Sequence, residues 1–119
     1  MPHDPMAAVL DMVKAIETAQ ELSAGLSEAE FIDDMRTHWA VYSQIVILGE
    51  AAGRIDRMFQ EAHPDVPWAN IIGMRHRLVH GYDSVEWVRV WKTLQEDIPP
   101  LFRQLKALMP DEGGQITGQ

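Results

Sequence analysis

The 119 residues include no cysteine, which excludes disulfides, thiolate metal sites and a cysteine nucleophile together. Strand signals are missing as well, since every β-branched stretch has a better helical reading. No apolar run approaches the roughly 18 residues needed to cross a bilayer. The opening Met1-Pro2-His3-Asp4-Pro5 carries neither the basic segment nor the apolar segment of a signal peptide. A cytoplasmic protein with no membrane partner is expected. Basic residues are scarce: 10 Lys and Arg stand against 18 Asp and Glu, a formal charge of −8. That balance excludes binding nucleic acid through bulk electrostatics, because phosphate neutralisation needs a cationic surface. Any anion site must therefore be local. The best stretch for one runs from Arg75 to Lys92, where Arg75, Arg77, Arg89 and Lys92 face only Asp83 and Glu86. There is no repeat and no low-complexity block.

What remains is helical periodicity. A chain of this length buries roughly two-thirds of its unfolded surface around one core, and the expectation is a single helical domain over 1–110 with a flexible tail at 111–119. Asp4-Pro5 reads as cap and first-turn proline of a helix whose inward face is Met6, Val9, Leu10, Val13, Ile16 and Ala19 or Ala24, stopped by Gly25. Ser27 and Glu30 form a capping box before Phe31-Ile32, predicting a short helix that runs to about Asp34 or merges into the next. A long helix is expected from Thr37 to Ala62 along the stripe Val41, Ile45, Leu48, Ala52, Ile55 and Phe59, with a second apolar patch at Trp39, Val46 and Ile47. His63-Pro64-Asp65-Val66-Pro67 breaks the chain, and Pro67 suits the first turn of a helix over Trp68 to His80 that Gly81 stops. Ser84 is the expected cap of the next helix, which carries Val85, Val88, Trp91 and Leu94 to Glu96. Asp97-Ile98-Pro99-Pro100 should then kink or restart it before Leu101, Phe102, Leu105 and Leu108. The sum is an all-α, up-and-down bundle of four long helices plus a short one.

Within the helix ending at His80, Arg75 falls in the apolar stripe of Trp68, Ile71, Ile72, Leu78 and Val79. A guanidinium there needs a carboxylate, a partner subunit or an anionic ligand, because burying it unpaired costs several kcal/mol. Arg75 and His80 are five residues apart, which turns them about 140° from each other on a continuous helix. Their convergence requires a frayed end at Gly81, long side chains, or a second copy of the chain. A two-fold dimer would bring both helix ends into one cleft, where a guanidinium holds a phosphate and an imidazole moves a proton. Two structural alternatives stand beside this. Arg75 pairs with a carboxylate such as Glu50, and His80 merely caps the helix C-terminus, where a cation is favoured. His76 and His80, one turn apart, suit two metal ligands, yet neither His38, His63 nor any acid supplies a third at a telling spacing. No metal or cofactor is therefore assigned. Tyr82 follows the helix stop and reads as exposed. Trp68 and Trp91 sit at positions that read as core and no cluster of basic residues surrounds Trp39 or Trp87, so packing explains all four better than base stacking.

Read in order, Leu10-Asp11-Met12, Ile47-Leu48-Gly49-Glu50-Ala51-Ala52, His63-Pro64-Asp65-Val66-Pro67-Trp68, Gly73-Met74-Arg75-His76-Arg77-Leu78-Val79-His80-Gly81-Tyr82 and Asp97-Ile98-Pro99-Pro100-Leu101 resemble the HepT-like proteins of the HEPN superfamily. The resemblance covers nearly the whole chain. It implies a homodimeric helical toxin from a two-gene toxin-antitoxin module, with the two Arg-and-His motifs meeting at the subunit interface. It further implies that Arg75 and His80 are the ribonuclease pair and that His76 fills the polar position after the arginine, where asparagine often stands. Tyr82 matches the tyrosine that a minimal nucleotidyltransferase antitoxin modifies with AMP from ATP. The expected activity is metal-independent cleavage of RNA by its own 2′-hydroxyl, leaving a 2′,3′-cyclic phosphate. A second reading is a non-catalytic subunit presenting a nucleotide or substrate to the nucleotidyltransferase; it needs Arg75 but not His80. A third is a degenerate family member that only dimerises.

Overall fold

Four short polar side chains start four of the helices. In the computed structural model, which describes residues 4–110, the Asp4 carboxylate accepts the Met6 N–H at 2.9 Å and opens α1, Pro5–Ser23. Ser27 opens α2, Glu28–Asp33, by the reciprocal bonds of the expected capping box: Ser27 Oγ accepts the Glu30 N–H at 3.2 Å, and Glu30 Oε1 accepts the Ser27 N–H at 2.8 Å. Asp34 ends α2 through its own N–H, bonded to the Glu30 carbonyl, and opens α3, Met35–Gly53, by accepting the Thr37 N–H at 3.1 Å and hydroxyl at 2.7 Å. Those two bonds stabilise the ionised carboxylate, so the Asp34 carboxyl is held below its usual range, the hydroxyl contributing most.

The fourth such residue, Asp56, corrects the long helix expected over 37–62. Its carboxylate accepts the Phe59 N–H at 2.8 Å and begins a separate helix, α4, Arg57–Ala62. Between the two, the Arg54 and Ile55 N–H groups tighten onto the Ala51 and Ala52 carbonyls. The Gln60 side chain folds back to donate to the Ile55 carbonyl at 3.0 Å. A capping aspartate in register with a buried Ile55 therefore outcompetes continued α-helix, although the apolar spacing through it stays helical. Gly25, at φ +80°, occupies the left-handed position that ends α1.

α5 covers Trp68–His80 as expected, but Pro67 stands at the cap position outside the helix, its carbonyl accepting the Ile71 N–H. Gly81 stops α5 with its N–H on the Arg77 carbonyl at 2.9 Å. Ser84 does not cap the next helix. Tyr82–Ser84 form a 3₁₀ turn in which both the N–H and the hydroxyl of Ser84 point back to the Gly81 carbonyl, and α6 begins later, Trp87–Lys92. The expected interruption at the prolines takes the form of a π turn, Thr93–Asp97, leading directly into α7, Ile98–Leu108. The Ile98 N–H reaches back five residues to Thr93. A widened turn at this point relieves the clash a proline ring makes with the carbonyl four residues before it.

These elements make the all-α bundle. α3 is its centre, packed on α1 along one side and α5 along the other, and α7 lies against α1. The buried core runs through Val9, Met12, Ile16, Val41, Ile45, Leu48, Leu101 and Leu105. Leu10, expected inward, lies at the edge of its stripe and is half-exposed, and Ala24 is exposed. The side between α5 and the α6–α7 helix does not close, leaving a cavity of about 580 Å³ lined by Met74, Arg77, Leu78, Val90, Leu101 and Gln104 among others. No helix among the described residues is long and apolar enough to cross a membrane. The expected tail at 111–119 lies outside the described residues.

Candidate functional site

Gly49 determines how Arg75 sits. A Cβ at Gly49 would fall 2.2 Å from the Arg75 Cβ, 2.9 Å from its Cγ and 3.2 Å from the Ile71 carbonyl oxygen. The absence of that methyl lets α5 press its arginine stem directly onto the backbone of α3. From there the guanidinium reaches the next residue of α3: Arg75 Nη2 forms an ion pair with Glu50 Oε2, 2.8 Å away. The carboxylate alternative raised by the sequence is thus present as geometry. The pair is not sealed in, with the Arg75 side chain 33% and that of Glu50 51% exposed. Its Nε is buried without a hydrogen-bond partner. One edge of the guanidinium is thus committed to Glu50, while its inner N–H remains unsatisfied.

His76 and His80 both lie exposed on the last turns of α5, their ring centroids 4.1 Å apart. The helix C-terminus favours a cation at this end. Among the described residues no group of three His, Cys, Asp or Glu gathers here or elsewhere into a metal-ligating set. Tyr82 is 65% exposed, on the 3₁₀ turn just beyond Gly81. Arg75 therefore lies against α3 while His76, His80 and Tyr82 face outward. None of the four lines the cavity between α5 and α7. Arg77 and Arg89 do line it, Arg89 at 3.7 Å from Glu86.

Two features escape the sequence reading. The Tyr42 hydroxyl donates to the Leu78 carbonyl at 2.8 Å, tying α3 to the final turn of α5. A signal for it exists, since Tyr42, Val46 and Gly49 fall at helical spacing along the edge of α3 that meets α5. The second is His38, weighed only as a stray ligand. It is buried, its ring stacked on Trp87 with centroids 3.8 Å apart and its Nδ1 3.3 Å from the Phe31 carbonyl. With Trp39 and Tyr42 it builds an aromatic cluster: the Trp39 ring meets those of Tyr42 and Trp87 edge-on at 5.0 and 4.9 Å. Trp39 and Trp87 pack against protein, as expected, although Trp39 stays 38% and Ile47 of the same apolar patch 45% exposed.

The family model "Ribonuclease HepT-like" matches residues 12–108, a span that holds Glu50, Arg75, His76, His80 and Tyr82. A Thermococcus cleftensis protein named "Probable ribonuclease HepT" is 37% identical over 91 residues, covering 76% of this chain and 83% of its own. A Methanocaldococcus jannaschii protein named "Putative RNase MJ1380" is 29% identical over 104 residues, 87% of this chain and 95% of its own. No solved structure matches the chain.

Proposed function

The chain belongs to the HepT-like ribonuclease family, and from that premise we propose that it is the toxin of a toxin-antitoxin pair, a cytoplasmic, homodimeric, metal-independent endoribonuclease. The observation that carries the dimer is the division of labour along α5. Arg75 lies on the α3 side with its guanidinium on Glu50, while His80, five residues on, is exposed. One straight helix holds such residues about 140° apart, whereas a two-fold axis beside the end of α5 sets the arginine of one protomer against the histidine of the other.

In that cleft Arg75 binds the scissile phosphate and spreads the charge that develops on its oxygens. The RNA's 2′-oxygen forms a bond to phosphorus as the bond to the 5′-oxygen breaks. His80 moves the protons, from the attacking hydroxyl and to the leaving oxygen. His76, with its ring against that of His80, positions it. The nucleophile belongs to the substrate, so no metal-activated water is needed. The product is a 2′,3′-cyclic phosphate. Tyr82, exposed beside this helix end, is the site at which a partner nucleotidyltransferase adds AMP, and the added negative charge repels RNA and blocks the cleft.

The test is cleavage of single-stranded RNA by wild type, Arg75→Ala and His80→Ala, with and without EDTA, alongside the mass of the particle in solution. The expected result is a dimer that cleaves in EDTA to a cyclic phosphate, with both variants losing activity at least a hundredfold. Full activity in His80→Ala, or loss in EDTA restored by added metal, overturns the mechanism.

A further inference from the structure

We infer that Tyr42, which lies outside the Arg-and-His motif, is a positioning residue for His80, holding the last turn of α5 to α3 through its hydroxyl. The last carbonyls of a helix have no partner within it. At the end of α5, Gly81 supplies its N–H to the Arg77 carbonyl, and the next carbonyl, that of Leu78, receives the Tyr42 hydroxyl at 2.8 Å. Leu78 is two residues before His80 and four before Tyr82.

The hydroxyl comes from a stiff support. The Tyr42 ring is half-buried and meets Trp39 edge-on, Trp39 meets Trp87 in the same way, and Trp87 is stacked on the buried His38. Aromatic rings held edge-to-face and stacked in this way have little freedom to move. Tyr42 and Glu50 are eight residues apart on α3, about 12 Å of helix. One rigid helix therefore fixes both the arginine, through Glu50, and the end of α5 that carries the histidine, through Tyr42. The exposed Tyr82 turn begins only where this tether stops.

The inference rests on the reading of His80 as the proton-transfer residue, and the experiment separates the two. Tyr42→Phe removes the hydroxyl and keeps the ring in its cluster. The expected result is a fall in kcat on single-stranded RNA of about tenfold, since an ångström of misplacement is costly to a proton transfer. KM should change less than twofold, because Arg75 keeps its place. Histidine ¹H–¹³C spectra give the second readout: the His80 signal, identified by its loss in His80→Ala, moves or broadens in Tyr42→Phe while that of His63 stays put. An unchanged kcat, or a fall in kcat with the His80 signal unmoved, overturns the positioning role. Full activity in His80→Ala instead overturns the functional reading, and a shifted His80 signal in Tyr42→Phe would still establish the tether itself.

Discussion

Gly49→Ala isolates the contact on which the arginine depends. The change adds one methyl, and in a helix interior alanine is favoured over glycine by about 1 kcal/mol, so propensity alone predicts a more stable protein. Packing predicts the reverse. The new carbon would stand 2.2 Å from the Arg75 Cβ and must retreat by about 1.2 Å to reach the 3.4 Å at which ordinary contact begins. The obstacle is the stem of the arginine and the Ile71 carbonyl, not the free end of a flexible chain. Relief therefore requires α3 and α5 to part. Overpacking of this kind costs about 1–3 kcal/mol, so the balance is a net destabilisation of up to about 2 kcal/mol. Gly53, at the end of the same helix, has nothing within 4 Å of a new Cβ and serves as the control. Gly53→Ala should be neutral or slightly stabilising. Urea unfolding of both variants measures the pair, with a lower midpoint expected for Gly49→Ala alone. RNA cleavage should fall by one to two orders of magnitude in Gly49→Ala, since a shift near 1 Å at a phosphate-binding group has effects of about a hundredfold. Equal stability of the two variants, or full cleavage by Gly49→Ala, refutes the claim that this glycine sets the arginine in place.

Other consequences follow from the same contacts. Phe31 is fully buried between Trp91 and His38, at 5.2 and 6.1 Å, and Phe31→Ala should cost about 3–5 kcal/mol in urea unfolding. Glu50→Gln keeps an oxygen within reach of Arg75; because both partners are partly exposed, stability should change by less than about 1 kcal/mol in thermal melts. Asp34 has its carboxyl pKa lowered by Thr37, so its ionised form favours folding; that contribution is present above the ordinary carboxylate range and lost as pH falls through the lowered value. Asp34→Asn, still a good cap, should therefore narrow its stability gap to wild type between pH 7 and pH 3. Tyr82→Phe should abolish any mass gain in whole AMP units on co-expression with a nucleotidyltransferase partner, read by intact-mass spectrometry.

Most of the bundle was legible because its start signals are local. The caps at Asp4 and Ser27 and the stops at Gly25 and Gly81 act within four residues of themselves, and the helices they bound were readable from spacing. The failures are of another kind. Asp34 and Asp56 both act as caps, but the apolar stripe runs through Asp56 unbroken from Ala52 to Phe59, so periodicity predicts one continuous helix where the chain folds by the cap. Ser84 carried a helix-start signal that its hydroxyl spends backward on Gly81. The interruption expected at Pro99 and Pro100 is present, but its form, a π turn before a restarted helix, is not something the prolines themselves specify.

The site divides along the same line. Arg75, His80 and Tyr82 are adjacent in sequence and could be picked out from residue type, while the residues that place them come from α3, more than twenty positions earlier. An arginine in an apolar stripe announces that something must meet it, and Glu50 was one of the candidates. That Gly49 must be bare for the two to meet is a property of the distance between two helices, which no single stretch encodes. The open flank of the bundle between α5 and α7 carries Arg77 rather than Arg75. A lone protomer thus has a cavity beside α5 that neither His76 nor His80 lines. A site built from residues on an outer helix face gains walls only from something placed against it, and the most economical candidate for that role is a second copy of the same face.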